Sequence, residues 1–232
     1  MPGNLLYGFA PLQAPGSHGP VNGVAGDVAV QLYPWFSFAR GEILAGRLPL
    51  WNPYSRGGSP FLANAQSAVL SPFTLLAVPF RAPQGFSLAM LARLWTAGLG
   101  AALFLRALRA RAVAAILGGL AYGSSAFIVV WMGYPASAVA AFAPFAFAAA
   151  EWFLGRAGGP RALAALAVST ALMLVAGHPE TTLQLGLPLA LYAGARWLAT
   201  GRSPRVLVAL GMAAVLGFML SAVVFLPFLQ EA

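Results

Sequence analysis

The chain has 232 residues, 60% of them hydrophobic and 8% charged, and its formal charge of +8 comes from thirteen basic residues against five acidic ones. All thirteen are arginine, cysteine is absent and mean hydropathy is strongly positive, which excludes an ordinary soluble domain, a disulfide scaffold and a cysteine-ligated metal site. The arginines are dispersed and gather on no single polar surface, which excludes a nucleic-acid-binding protein.

Residues 1 to 25 carry neither a basic leader nor a sustained apolar run, so they do not read as a signal peptide. The next stretch, GDVAVQLYPWFSFARGEILAGRLPLWNPYSRGGSPFLANAQS at 26 to 67, is the only long polar and aromatic segment, and any chemistry is expected there. Within it, Leu32, Phe36, Ala39 and Ile43 recur at i, i+4, i+7 and i+11, the period of an amphipathic helix lying along a membrane surface. Asp27 is placed to cap that helix or the turn leading into it. LPLWNPYSRGGSP then breaks regular structure with its prolines and glycines, while Leu50, Trp51 and Tyr54 anchor the loop. AVLSPFTLLAVPF at 68 to 80 is too short and too proline-interrupted to span, and reads as a re-entrant or interfacial helix.

Beyond this, apolar runs near the length that crosses a bilayer give six candidate spans, at 86 to 105, 112 to 131, 136 to 154, 162 to 177, 181 to 199 and 206 to 228. The expected fold is all-α: a polytopic transmembrane bundle of about six spans (residues 86 to 232) behind an extracytoplasmic, interfacial segment (residues 1 to 85). Arginines mark alternate junctions: Arg106, Arg109 and Arg111, then Arg156 and Arg161, then Arg196, Arg202 and Arg205. The positive-inside rule makes those turns cytoplasmic and puts residues 1 to 85, the MGYP turn at 132 to 135 and the HPE turn at 178 to 180 outside. An outer segment of that length needs an upstream helix to translocate it, so the chain reads as the fragment of a longer protein.

The ordered combination GDVAVQLYPW, GRLPLWNPYSRGGSPFLANAQSAVLSPF and AGHPETTLQ (176 to 184) resembles the YfhO family of bacterial membrane proteins, of the GT-C class of integral membrane glycosyltransferases, over residues 22 to 190. The resemblance implies a GT-C-like bundle in the bacterial inner membrane that moves a sugar from a polyprenyl-phosphate carrier to a glycan or lipid-linked acceptor on the outer face. It also implies a catalytic carboxylate in the first outer loop, and Asp27 matches that position.

Glycosyl transfer to a hydroxyl needs a base, donors for the leaving phosphate and access from the membrane surface. Asp27 is the candidate base. Arg93, inside the first span, is an intramembrane charge and a candidate for the donor phosphate, with Asp27 or Glu180 as its other natural partners. Arg40, His178 and Glu180 are further candidates for donor or substrate binding, and Trp51 and Asn52 for stacking on or hydrogen bonding to a sugar. The competing readings are structural: Arg40 and Arg47 meeting lipid phosphates generically, Glu180 favouring a helix N-terminus, Glu151 forming an interfacial pair near Arg156. No cofactor is demanded; a divalent metal shared by Asp27 and Glu42 or Glu180 is compatible with the sequence. A rival function is a non-catalytic transporter or lipid-binding protein for an anionic lipid or solute.

Overall fold

The computed structural model describes residues 26–231 apart from 56, 156 and 157, so residues 1 to 25 and Arg156 lie outside the described residues. The first part forms a cap. A π-helical turn, Val28–Leu32, runs directly into α1 (Tyr33–Leu44). The wider register of that turn falls immediately before Pro34, whose ring would crowd the carbonyl four residues back in a regular helix. A short antiparallel hairpin follows, β1 (Trp51–Asn52) on β2 (Ser59–Pro60), with Trp51 opposite Pro60 and Asn52 opposite Ser59. A 3-10 turn, Ala65–Ser67, and α2 (Pro72–Ala77) complete the cap. It encloses a small core of its own, in which Phe61, Leu62 and Val69 bury against Ala39 of α1.

The remainder is a helical bundle: α3 (Ala82–Ala107), α4 (Ala112–Gly123), α5 (Ala126–Val130), α6 (Pro135–Gly155), α7 (Pro160–Val175), α8 (Pro179–Thr200), α9 (Arg205–Leu220) and α10 (Ala222–Glu231). The central helix is α6, whose alanine-rich surface is buried along most of its length between α3, α7 and α8. Small residues permit the close approaches. A side chain on Gly119 of α4 would stand 2.6 Å from the Gly98 carbonyl of α3, so these two backbones touch only because both residues are glycine.

All six expected spans are helical, with ends shifted by a few residues. Three segments are long and apolar enough to cross a membrane: Ala82–Ala107, Ala112–Val130 and Pro135–Gly155. The pair α9 and α10 supplies a fourth only if taken as one broken span, because the chain bends by 75° where the sequence suggested a continuous run. Helix α7, with 16 residues, is shorter than a straight span requires, and α8 has the length but not the apolarity of the first three.

Pro144 lies inside α6 and has no N–H to give the carbonyl of Ala140. The Tyr122 hydroxyl of α4 donates to that oxygen at 2.9 Å. One helix thus satisfies a backbone group that a proline orphaned in its neighbour, a necessity where no water reaches. Tyr122→Phe is expected to destabilise the protein by about 1 kcal/mol in detergent unfolding. In a Pro144→Ala background, where the backbone supplies its own donor, the loss should shrink, and a double-mutant cycle measures the difference.

Candidate functional site

The cap sits on one end of the bundle, against the two turns that carry no arginine. Gly133, between α5 and α6, lies so close to the cap that a side chain there would stand 2.8 Å from Val28 Cγ2. Gly177, between α7 and α8, has φ +97°, and a side chain there would meet the Ala65 carbonyl at 2.6 Å. The arginine-bearing turns gather at the opposite end, where Arg202 donates to the Phe153 carbonyl at 3.0 Å.

Asp27 is exposed at the head of the cap helix. Its backbone is already helical and its side chain makes no capping hydrogen bond, so the expected capping role is not realised. The π turn begins the helix one residue later, and the carboxylate stays available. Tyr134, in the turn beneath, feels it: burial first and the Asp27 charge second push the phenol above its ordinary range. Among the described carboxylates, Glu42 and Glu151 are ion-paired, whereas Asp27 and Glu180 have no cationic partner.

Two concavities open in the cap. The larger, about 740 Å³, is walled by Val30, Gln31, Pro34, Trp35 and Phe38 on the cap helix and by Asn52, Tyr54, Ser55 and Ser59 of the hairpin. Asp27 precedes Gln31 by four residues, one turn along the helix face that forms this wall. The smaller, about 290 Å³, is lined by Asn64, Gln66, His178, Glu180 and Phe228. Pro60 and Asn64 border both. His178 caps α8: its Nδ1 accepts from the Thr181 N–H at 3.2 Å and lies 2.9 Å from the Thr181 hydroxyl. A neutral ring used this way carries its proton on Nε2, a donor directed away from the helix. Glu180 occupies the first turn of α8, where the helix dipole favours its charge.

Arg93 is 6% exposed and does not reach Asp27 or Glu180 with any hydrogen bond. Its Nη1 donates to the carbonyls of Met132 at 2.8 Å and Tyr134 at 2.9 Å, and its guanidinium lies 5.8 Å from the centre of the Phe73 ring. The buried Nε has no partner among the described residues. The charge is held by two carbonyls of the turn between α5 and α6, and so braces the turn that faces Asp27.

Arg40 donates from Nε to the Phe80 carbonyl, tying α1 to the turn after α2. Arg47 lies beyond the end of α1 and grips Glu42 with two bonds, at 2.8 and 2.7 Å. Those bonds hold the Glu42 carboxyl below its ordinary range. Glu42 and Asp27 stand near opposite ends of one continuous helix, on the order of 20 Å apart at 1.5 Å per residue, so no single ion touches both. Among the described residues, no three His, Cys, Asp or Glu side chains gather as a metal site would require. Trp51 is 55% exposed and lies over Gly58, outside the larger cavity, whereas Asn52 is 5% exposed and inside its wall.

Glu151, at the opposite end, finds its partner in α8: Arg196 makes two bonds to it at 2.7 and 2.6 Å, and the Tyr192 hydroxyl donates at 2.6 Å. The partner that the sequence suggested, Arg156, lies outside the described residues; Arg196 is supplied by α8, which runs parallel to α6. Sequence reasoning also passed over Gln31 and Phe38, which look like plain helix positions until the hairpin folds across them.

No protein-family model matches the chain, and neither a characterised protein nor a solved structure is significantly similar to it. The fold and the cavities therefore carry the functional reading, together with the motifs.

Arg93→Gln should lower stability in detergent by about 2–3 kcal/mol, since hydrogen bonds from a charged group contribute about 1.5–3 kcal/mol each; Arg93→Lys should fall between, a point charge being unable to fork two carbonyls. Thermal unfolding of the purified variants measures this. For Glu42, the depressed value means that its contribution to folding is complete above the free carboxylate range and is lost as pH falls through the lowered folded value. Arg47→Gln is expected to move the Glu42 titration upward, followed by carbon NMR of labelled glutamate.

Proposed function

We propose that this protein is a membrane glycosyltransferase of GT-C-like architecture, related to the YfhO type, which transfers a sugar from a polyprenyl-phosphate carrier to an acceptor at the outer face of a bacterial inner membrane. The observation that carries the reading is Asp27: an exposed carboxylate without a cationic partner, at the head of the helix face that walls the larger cavity. The motif resemblance picks out the same residue independently.

In this reading, Asp27 takes the proton of the acceptor hydroxyl as its oxygen attacks the anomeric carbon. The bond from that carbon to the phosphate oxygen breaks, and polyprenyl phosphate leaves. Arg93 acts as a positioning residue, because its guanidinium is engaged by the carbonyls of the turn opposite Asp27. The Nε2–H of His178 and the amides of Asn64 and Gln66 are the donors of the smaller cavity, suited to phosphate oxygens. With the arginine-rich turns cytoplasmic, the cap faces outward, and the apolar helices bring the lipid carrier to its edge. Membrane lipids are partners in any case; no cofactor enters the mechanism.

The rival, a transporter or lipid-binding protein, draws on one observation: Arg93, His178 and Asp27 do not line a common cavity. Transfer decides between them. Asp27→Asn should reduce transfer from a radiolabelled polyprenyl-phosphate sugar by roughly 10²–10⁴-fold, the usual contribution of a positioned base, with membrane insertion unchanged. Transfer near the wild-type rate in Asp27→Asn would remove Asp27 from the mechanism.

A further inference from the structure

We infer that the larger cavity of the cap is a binding site for a neutral oligosaccharide. Its volume, about 740 Å³, lies within the ~300–1,000 Å³ range of small-molecule sites, and among the described residues no charged side chain lines it. The described wall offers hydroxyls, amides and aromatic rings and no counter-charge, which suits an uncharged occupant.

The wall is aromatic and amide-rich. Trp35, Phe38 and Tyr54 provide ring surface, and the rings are braced: Trp35 and Phe38 each meet Phe61 edge-on, with centroids at 6.1 and 5.0 Å, and Phe38 meets Tyr54 at 6.0 Å. Fixed aromatic faces suit the C–H face of a pyranose, which is flat and apolar while its hydroxyls project from the rim.

The polar groups complement those hydroxyls. Asn52 Oδ1 accepts from the Tyr54 N–H at 3.0 Å, and Asn64 Oδ1 accepts from the Gln66 N–H at 3.1 Å. Both side-chain oxygens are thereby engaged, which orients the two amide nitrogens as donors. For Asn52 this matters most: the residue is 5% exposed, its Nδ2 has no partner among the described residues, and that atom is not sealed from the cavity. An amide whose donors open only to the cavity is placed to give them to an acceptor bound there, in exchange for water. Gln31, Ser55 and Ser59 add amide and hydroxyl groups that make no side-chain hydrogen bond within the described structure and can exchange them with vicinal diols.

Binding stands without the transferase reading; only the naming of this saccharide as the acceptor or the transferred sugar rests on it. The test uses the full chain in lipid nanodiscs, with saturation-transfer NMR and calorimetry. The probes are neutral hexose and N-acetylhexosamine trisaccharides, a uronic-acid trisaccharide of the same size, and inositol. A neutral trisaccharide should bind at least tenfold more tightly than the uronic-acid analogue and than inositol. Asn52→Asp keeps the oxygen that holds the Tyr54 N–H but removes the donor, and should weaken binding at least tenfold. Gln31→Ala, at a half-buried position where folding is not at stake, should weaken it several-fold. Absence of neutral binding, equal binding of charged and neutral probes, or indifference to both substitutions would overturn the assignment. Saccharide binding without any transfer would leave it standing and remove the transferase reading. Transfer without saccharide in the cavity would do the reverse.

Discussion

A single buried guanidinium sets the geometry of the end of the bundle where the cap docks. Arg93 rises from the middle of α3 and binds the carbonyls of Met132 and Tyr134 in the turn where α5 stops and α6 starts; the Tyr134 carbonyl also accepts from the N–H and hydroxyl of Ser137. Without it, the Met132 carbonyl would lose its side-chain donor and the Tyr134 carbonyl would keep only Ser137, in a turn that packs against an apolar interior. With it, Gly133 is held where only a glycine lets Val28 approach, and Asp27 comes to rest beside Tyr134. The position of the candidate base thus depends on a charge that never touches it.

The remaining polar groups obey the same constraint. Tyr122 answers the carbonyl that Pro144 orphans, and Glu151 is closed off by Arg196 and Tyr192 between α6 and α8. Gly155 is part of that second lock, because a side chain there would stand 2.5 Å from the Glu151 carboxylate. In each case a polar side chain joins two helices through a group that would otherwise be unsatisfied. Among the described residues, the bundle interior thus holds little spare hydrogen-bonding capacity, the unpartnered buried atoms being Ser71 Oγ and Arg93 Nε.

How much of this could be read in advance follows from the range of the interactions. The helices were legible because apolar runs and their breaks are local, and α1 was legible from the spacing of Leu32, Phe36 and Ala39, all of which are buried. Asp27 was singled out through the resemblance, its local setting suggesting only a cap, and Asn52 as a polar group of the aromatic loop. The partners of Arg93 and Glu151 were not, because they lie 39 and 45 residues away along the sequence, in turns and registers that no local pattern specifies. The 75° bend at the end of α9 was likewise hidden, since a continuous apolar run looks the same straight or broken. Trp51 was the natural sugar-stacking candidate by residue type, yet the hairpin turns it over Gly58 and brings Trp35 and Phe38 to the cavity.

The distribution of carboxylates makes the strongest physical case for where chemistry occurs. Of the five acids in 232 residues, Asp27, Glu42, Glu151 and Glu180 have described side chains. Glu151 is locked by an arginine and a tyrosine, and Glu42 is neutralised by Arg47 on the exposed end of α1. Glu180 stands in the first turn of α8, where the helix dipole gives it a structural reason to be there. Asp27 has none of these partners: no cation, no cap, and a half-buried phenol beneath it that its charge disfavours ionising. That carboxylate is exposed, has no cationic partner and lies one turn from a cavity whose described lining is rich in hydroxyl and amide groups, which is why the proposed chemistry is assigned to it.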